Sequence, residues 1–352
     1  MCLTDDCEVR GGDRKIQQRQ SGSFSTGWKE SGTVTKTGGG NGGGVFAEYS
    51  NPIFSNVIVT DNFARKHGGG LAFNGCNRVK MIDVTINNNH STASSTQDDE
   101  HRGGGGLHAD SSSIYIDRFI IDGNEAAFRG GGICSIYSHL YLSNGLITGN
   151  SSSTCNSGCG VNFNYSTATS SGGEGGGGIH VMYIRDFVLE HVTIVSNSNG
   201  YDDNGMGGGM QFTYYSGHLS YVGEERPFDY NISMNYCIVD NNLTNNRRSG
   251  TSDLGHGITT LGGYNTMGYH LIGYRGDFDN WIPSYTPKGS STQDDPQFAE
   301  IWEPGVGGGD YHLAADSPAN NATALHSHFI KQYDVDYNLR TPEDGDDYGG
   351  YE

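Results

Sequence analysis

Residues 68–89 read GGGLAFNGCNRVKMIDVTINNN: a glycine block, a short apolar step, then an alternating apolar strand that closes on asparagine. Both ends of this stretch recur along the chain. Glycine blocks followed at once by an apolar residue end at Gly44 (GGGVF), Gly70 (GGGLAF), Gly106 (GGGGLH), Gly132 (GGGIC), Gly178 (GGGGIH) and Gly209 (GGGMQF), with a degenerate GHGIT at Gly257. Between them lie SNVIVTDN (55–62), IDVTINNN (82–89), DRFIIDGN (117–124), SNGLITGN (143–150), EHVTIVSN (190–197) and NYCIVDNN (235–242).

Each of these segments is short, rich in β-branched residues and bounded by turn formers, which is how strands read. No helical periodicity and no alternation of strand with helix is present. The shortest interval between block ends is 26 residues, from Gly44 to Gly70, and longer intervals are this unit with insertions. A unit of two or three short strands without a helix is one coil of a solenoid. The reading is therefore all-β: a single-stranded right-handed parallel β-helix of about eight to ten coils, stacked at the strand spacing of about 4.8 Å. At a coil corner the glycines supply positive φ and close backbone approach. The strand-end asparagines are placed to bond along the stack in ladders.

Residues 1–38 read as an N-terminal cap or docking arm, 39–290 as coils carrying loop insertions, and 291–352 as C-terminal coils with a closing segment. The insertions 90–102, 151–174 and 214–230 are polar or aromatic excursions, and in repeat proteins such segments often form the binding face.

Composition bounds the function. Of 352 residues, 56 are glycine and only 8 proline, without a Gly-X-Y period, so collagen is excluded. The 21 Tyr and 14 Phe argue against disorder. A formal charge of −19 repels a phosphate backbone, so nucleic acid is excluded as a partner while cations, sugars and proteins remain. No apolar run reaches the roughly 20 residues of a membrane span, and residues 1–30 are too polar for a signal peptide, so an exported chain is a processed product.

Seven cysteines leave at least one unpaired within the chain or bonded to another chain, with Cys2/Cys7 and Cys155/Cys159 the local disulfide candidates. Asn-X-Ser/Thr acceptors stand at Asn89, Asn150, Asn164, Asn231, Asn242 and Asn321, and are expected on outward turns carrying glycan. Acidic loop clusters at Asp98, Asp99 and Glu100, at Asp202 and Asp203, and above all at Asp344, Asp346 and Asp347 are the candidate Ca²⁺ ligands, although no EF-hand spacing is present.

The C-terminal segments DDPQFAE (294–300), GGGDYHLAADSPANN (307–321) and DVDYNLRTPEDGDDYGGYE (334–352) resemble the closing coil of the secreted right-handed β-helix proteins of the choice-of-anchor Q type, related to the polymorphic outer-membrane protein repeats. Tyr337 stands where those proteins commonly have glycine. The resemblance covers roughly residues 40–352 and implies an extracellular or cell-surface location and an adhesive or structural role. It implies no chemistry. In that family a linker and a surface anchor commonly follow, and the chain stops at Glu352 directly after the closing motif, so attachment is expected by assembly, glycan or a partner.

Three functional readings follow. The first is a secreted, glycosylated structural or adhesive rod, the protomer of a filament or surface coat, associating with its own copies head to tail through unpaired strand edges. The second is a polysaccharide lyase or hydrolase of pectate-lyase-like architecture, for which the carboxylates Asp83, Asp117, Asp122, Asp186 and Glu190 and the bases Arg118, Arg129 and Arg185 are candidates without a distinguishing spacing. The third is carbohydrate binding without turnover, through aromatics such as Tyr214, Tyr215 and Trp281. His108 and His180 occupy equivalent places in two units and could align on one face.

Overall fold

The computed structural model describes residues 6–16, 40–92, 103–152, 176–183, 185–199, 208–213, 231–235, 237–244, 254–257, 265–267, 270–272, 286–287, 291–292, 297–300, 309–314 and 317. These residues are all-β. Their strands form a 12-stranded, a 7-stranded and a 6-stranded sheet, each wholly parallel, and one antiparallel pair.

Among the described residues, the units whose glycine blocks end at Gly44, Gly70, Gly106, Gly132, Gly178 and Gly209 feed the three parallel sheets in the same order. In the unit that opens at Gly68, Leu71–Asn74 enters the 7-stranded sheet, Val79–Asn87 the 12-stranded sheet and His90–Ser91 the 6-stranded sheet. The next unit lays Leu107–Asp110, Ser113–Asp122 and Glu125–Ala126 beside them. Register holds from unit to unit: Leu71, Leu107, Ile133 and Ile179 are successive partners, as are Val84, Phe119, Gly145 and Val192. Insertions between units therefore leave the stacking undisturbed. Asp6–Ile16 adds a further parallel strand beside Asn51–Thr60, with Cys7 opposite Pro52.

Within the long strands the alternation slips once. In Val79–Asn87 the buried residues are Val79, Met81, Val84 and Ile86, so the inward phase shifts at Ile82 and Asp83. Asp83 has φ of 58°, and its counterparts Asn56, Arg118, Asn144 and His191 also lie between 51° and 54°. The left-handed residue bends each strand at the same level, as a bulge does, and both halves keep their apolar face inward. Phe54, Met81, Ile116, Leu142 and Leu189 from the first half, and Val59, Ile86, Ile121, Ile147 and Ile194 from the second, join Leu71, Leu107, Ile133 and Ile179 in one buried cluster. Each such side chain contributes about 1.5–3 kcal/mol on leaving water.

This bend is one of four left-handed rows. The others run through Gly42, Gly68, Gly104, Gly130 and Gly176; through Tyr49, Gly75, Ser111, Tyr137 and Tyr183; and through Asp61, Asn88, Gly123, Gly149, Ser196 and Asn241. Glycine thus owns one row of four, where sequence assigned it the corners. The second glycine of each block has another reason to be glycine. A Cβ on Gly105 would lie 2.5 Å from the carbonyl carbon of Glu125 and 2.4 Å from the oxygen of Gly131, because the two-residue strand of the 6-stranded sheet runs hard against the block.

The expected asparagine ladder is present. Asn62, Asn89, Asn124, Asn150, Asn197 and Asn242 stack with each Nδ2 donating to the next Oδ1 at 2.9 Å. The backbone N–H of each donates to that same oxygen, and Nδ2 also reaches a backbone carbonyl, for example Ile86 O from Asn124 at 2.8 Å. All six are at most 1% exposed. The acceptors Asn89, Asn150 and Asn242 therefore lie inside, not on outward turns. Each follows a left-handed residue that rotates its side chain into the stack, and its Nδ2 already carries two or more hydrogen bonds, so the folded ladder leaves no room for glycan there.

A smaller ladder follows the second row: Cys76 N–H donates to Ser112 Oγ at 3.0 Å and Ser112 N–H to Ser138 Oγ at 2.9 Å. Cys76, Cys134 and Cys237 are buried free thiols. Cys2, Cys155 and Cys159 lie outside the described residues, as do Asn164 and Asn321, whereas Asn231 stands in the strand Asn231–Asn235.

Candidate functional site

The long sheet turns its other side outward, and its two halves present different surfaces. Over the second half, the antiparallel pair Phe298–Glu300 and Asp310–Leu313 forms a cover. Phe298 and Tyr311 pack there with Leu146, Val195, Ile238, Ile120 and Leu313 in a second apolar cluster.

The first half carries a groove of about 320 Å³, lined by Lys80, Tyr115, Asp117, Tyr141, Ser143, Val188 and Glu190 among others. Register builds it. Lys80, Tyr115, Tyr141 and Val188 are successive partners along one row, and Ile82, Asp117, Ser143 and Glu190 along the row two residues on. The strand spacing sets Tyr115 on Tyr141 with ring centroids 4.6 Å apart and planes 1° from parallel. Tyr115 remains 40% exposed, an apolar plate open to solvent.

Beside the plates the polar groups are tied to one another. Arg118 donates from Nε to Asp83 Oδ1 at 2.7 Å and from one terminal nitrogen to Asp117 Oδ2 at 2.9 Å. The other oxygen of Asp117 accepts from Ser143 Oγ at 2.7 Å and from Asn144 Nδ2 at 2.8 Å. Asp186 Oδ2 meets His139 Nδ1 at 2.7 Å and accepts from the Tyr141 hydroxyl at 2.9 Å. Desolvation first, and that bond to Asp186 second, hold the Tyr141 phenol well above its usual range. It stays a neutral donor.

Of the acidic and basic candidates read from sequence, the structure brings Asp83, Asp117 and Arg118 together, with Glu190 in the groove and Asp186 at its rim. Asp122 stands further along the strand, in the second half, and burial raises its pKa to about 6. Arg129 is buried, its backbone bridged to Gly103, and Arg185 is exposed just before the strand Asp186–Val195. Sequence reasoning missed Tyr115 and Tyr141. The signal was available, since each stands nine residues beyond the last glycine of its block, Gly106 and Gly132.

His108 and His180 do align, with Cys134 between them on the intervening strand. All three are at most 4% exposed. Burial pushes the Cys134 thiol up to about 12, the nearby Arg129 charge notwithstanding, so it is no nucleophile at neutral pH. Among the described residues, no three His, Cys, Asp or Glu side chains are grouped to hold a metal ion, and no helix is long and apolar enough to cross a membrane. The acidic clusters at 98–100, 202–203 and 344–347, with the Ca²⁺ candidates Asp344, Asp346 and Asp347, lie outside the described residues, as do Tyr214, Tyr215 and Trp281.

Comparison with protein-family models, with curated proteins and with solved structures found no match to the chain.

Proposed function

We propose that the chain is an extracellular adhesive protein whose three parallel sheets wind as one right-handed β-helix of about eight to ten coils, and whose long outer face binds glycan without turning it over. The observation that carries this reading is the parallel stack of Tyr115 on Tyr141 in a groove edged by Asp117, Ser143, Glu190 and Lys80. An exposed aromatic plate offers the apolar face of a sugar ring a surface to lie on, and the surrounding hydroxyls and carboxylates match its hydroxyl groups.

Binding is favoured over cleavage by the state of the carboxylates. The Asp117 carboxylate is engaged at both oxygens by Arg118, Ser143 and Asn144, which tie it to the sheet rather than leave it free to reach a glycosidic bond. Such a network holds a face rigid.

Self-association head to tail is the second part of the reading. Its support is that the outer strand Val45–Glu48 of the 7-stranded sheet and the outer strand Phe63–Ala64 of the 6-stranded sheet are paired on one side only among the described residues. Glycan attachment is proposed for Asn164, Asn231 and Asn321, outside the ladder. A glycan array probed with the full chain tests the main claim: Tyr115→Ala is expected to weaken binding at least tenfold. Release of unsaturated or reducing-end products from any bound polymer would replace it with the lyase or hydrolase reading.

A further inference from the structure

The groove is electrically polar along its length. Lys80, Tyr115, Tyr141 and Val188 follow one another on four successive strands. Tyr115 stacks one face on Tyr141 at 4.6 Å, so its other face looks toward the strand that carries Lys80. The open aromatic plate and Lys80 thus share one end of the groove. Arg78 joins them there. It is exposed and Val79 is buried, so the alternation that leaves Lys80 half-exposed sets Arg78 on the same side.

The charges at this end differ in what they hold. Among the described residues, the side chains of Arg78 and Lys80 make no hydrogen bond and no ion pair. Asp83 and Asp117, in contrast, share the Arg118 guanidinium, and Asp117 also accepts from Ser143 and Asn144. Three cations, Arg78, Lys80 and Arg118, therefore face two carboxylates at the Tyr115 end. Three strands further along, about 14 Å at the strand spacing, the balance reverses. Asp186 and Glu190 stand there, and the exposed Arg185 offsets one of them. The chain as a whole carries −19, so the positive end runs against its average. The screening length at physiological salt is about 8 Å, so an anion seated in the groove responds to the near pair rather than to the distant net charge.

We infer that the groove takes the end of a glycan in which one acidic sugar caps neutral ones. This rests on the glycan reading above and names the class of glycan. The acidic ring lies on the open face of Tyr115, and its carboxylate sits between Lys80 and Arg78, whose ammonium and guanidinium supply charge-assisted hydrogen bonds. The neutral sugars continue past Tyr141 and Ser143 toward Glu190, where carboxylates accept from sugar hydroxyls. A second acidic sugar at that end meets like charge. The groove therefore selects by repulsion as well as attraction, and a uniformly acidic polymer is rejected.

The test is an array probed with the full-length chain. It carries glycans capped by sialic acid or by glucuronic acid, the same glycans without the cap, and polysialate and polyglucuronate. It is run for the natural protein, Lys80→Gln, Lys80→Arg, Arg78→Gln and Tyr115→Ala, each at low and at high salt. A capped glycan is expected to bind about tenfold more tightly than its uncapped parent and than the acidic polymers, with the preference shrinking at high salt. Lys80→Gln and Arg78→Gln should each reduce that preference while leaving the uncapped parent bound as before, and Lys80→Arg should keep it. Uncapped glycans bound as tightly as capped ones, with binding lost in Tyr115→Ala, overturn the inference and leave the glycan reading standing. Acidic polymers bound as tightly as capped glycans also overturn it, as does a preference that survives Lys80→Gln undiminished. Absence of binding to every glycan on the array removes both.

Discussion

Arg118 grips Asp83 with two hydrogen bonds, Nε to Oδ1 at 2.7 Å and a terminal nitrogen to Oδ2 at 3.3 Å, although both residues sit at the left-handed bend of their strands. The same guanidinium reaches Asp117, so one cation holds two carboxylates on neighbouring strands. Arg118→Ala leaves two like charges side by side on a half-buried face. The expected loss is about 1–2 kcal/mol in urea unfolding, scaled for side chains that solvent still partly reaches. A double-mutant cycle with Asp83→Asn should return a coupling near 1 kcal/mol, and a coupling of zero would mean the pair is crystallised by neighbours and contributes nothing itself.

The ladder predicts a steeper cost. Asn124 Nδ2 donates to Ile86 O and Asn150 Oδ1, while its Oδ1 accepts from the backbone and side chain of Asn89. Asn124→Ala strands several buried partners at once, and about 3–5 kcal/mol should be lost in chemical denaturation. Peptide mapping after expression in a glycosylating host should find Asn89, Asn150 and Asn242 unmodified in soluble protein. Glycan at any of them would show that the ladder yields more readily than its hydrogen bonds indicate.

Two glycines should respond in opposite ways. Gly105→Ala drives a Cβ into backbone atoms of Gly131, in the next glycine block, and of Glu125, in the 6-stranded sheet, and no rotamer relieves it. Loss of more than about 4 kcal/mol, or no soluble protein, is expected. Gly123 has φ of 61° and a Cβ there meets only the Asn88 side chain, in a row where Asp61, Asn88 and Asn241 already adopt that conformation. Gly123→Asn should stay within about 1 kcal/mol of the natural protein, read from thermal unfolding. Equal damage at both positions would refute the distinction between them.

What could be read before the structure, and what could not, follows from how far each signal reaches. The period, the parallel strands and the ladder were legible because each is written as a repeated residue type at a fixed place: glycine at Gly70 and Gly106, asparagine at Asn89 and Asn124. Three of the four left-handed rows were hidden, since Tyr49, Arg118, Ser111 and His191 share no composition, only a position. The inward turn of Asn89, Asn150 and Asn242 was hidden for a related reason. An acceptor triplet is a local pattern, whereas burial depends on the residue before it being left-handed. The groove pair Tyr115 and Tyr141 meets only through register across two strands, and nothing in either strand alone announces it.

The carboxyl of Asp122 gives the fold a pH dependence of definite sign. Its pKa rises from 3.8 to about 6 because burial disfavours the charged form. The folded state then holds the proton more tightly than the unfolded chain. Stability from this group is complete below about pH 4, declines as pH climbs through the interval to about 6, and stays at its lower level above. The difference between natural protein and Asp122→Asn should therefore grow across pH 4–6, by about 1–2 kcal/mol once partial solvent access is allowed for. Urea midpoints at pH 4, 5, 6 and 7 measure it directly. Titrations shared by both proteins cancel in that difference. A flat difference over the interval would place Asp122 in contact with water.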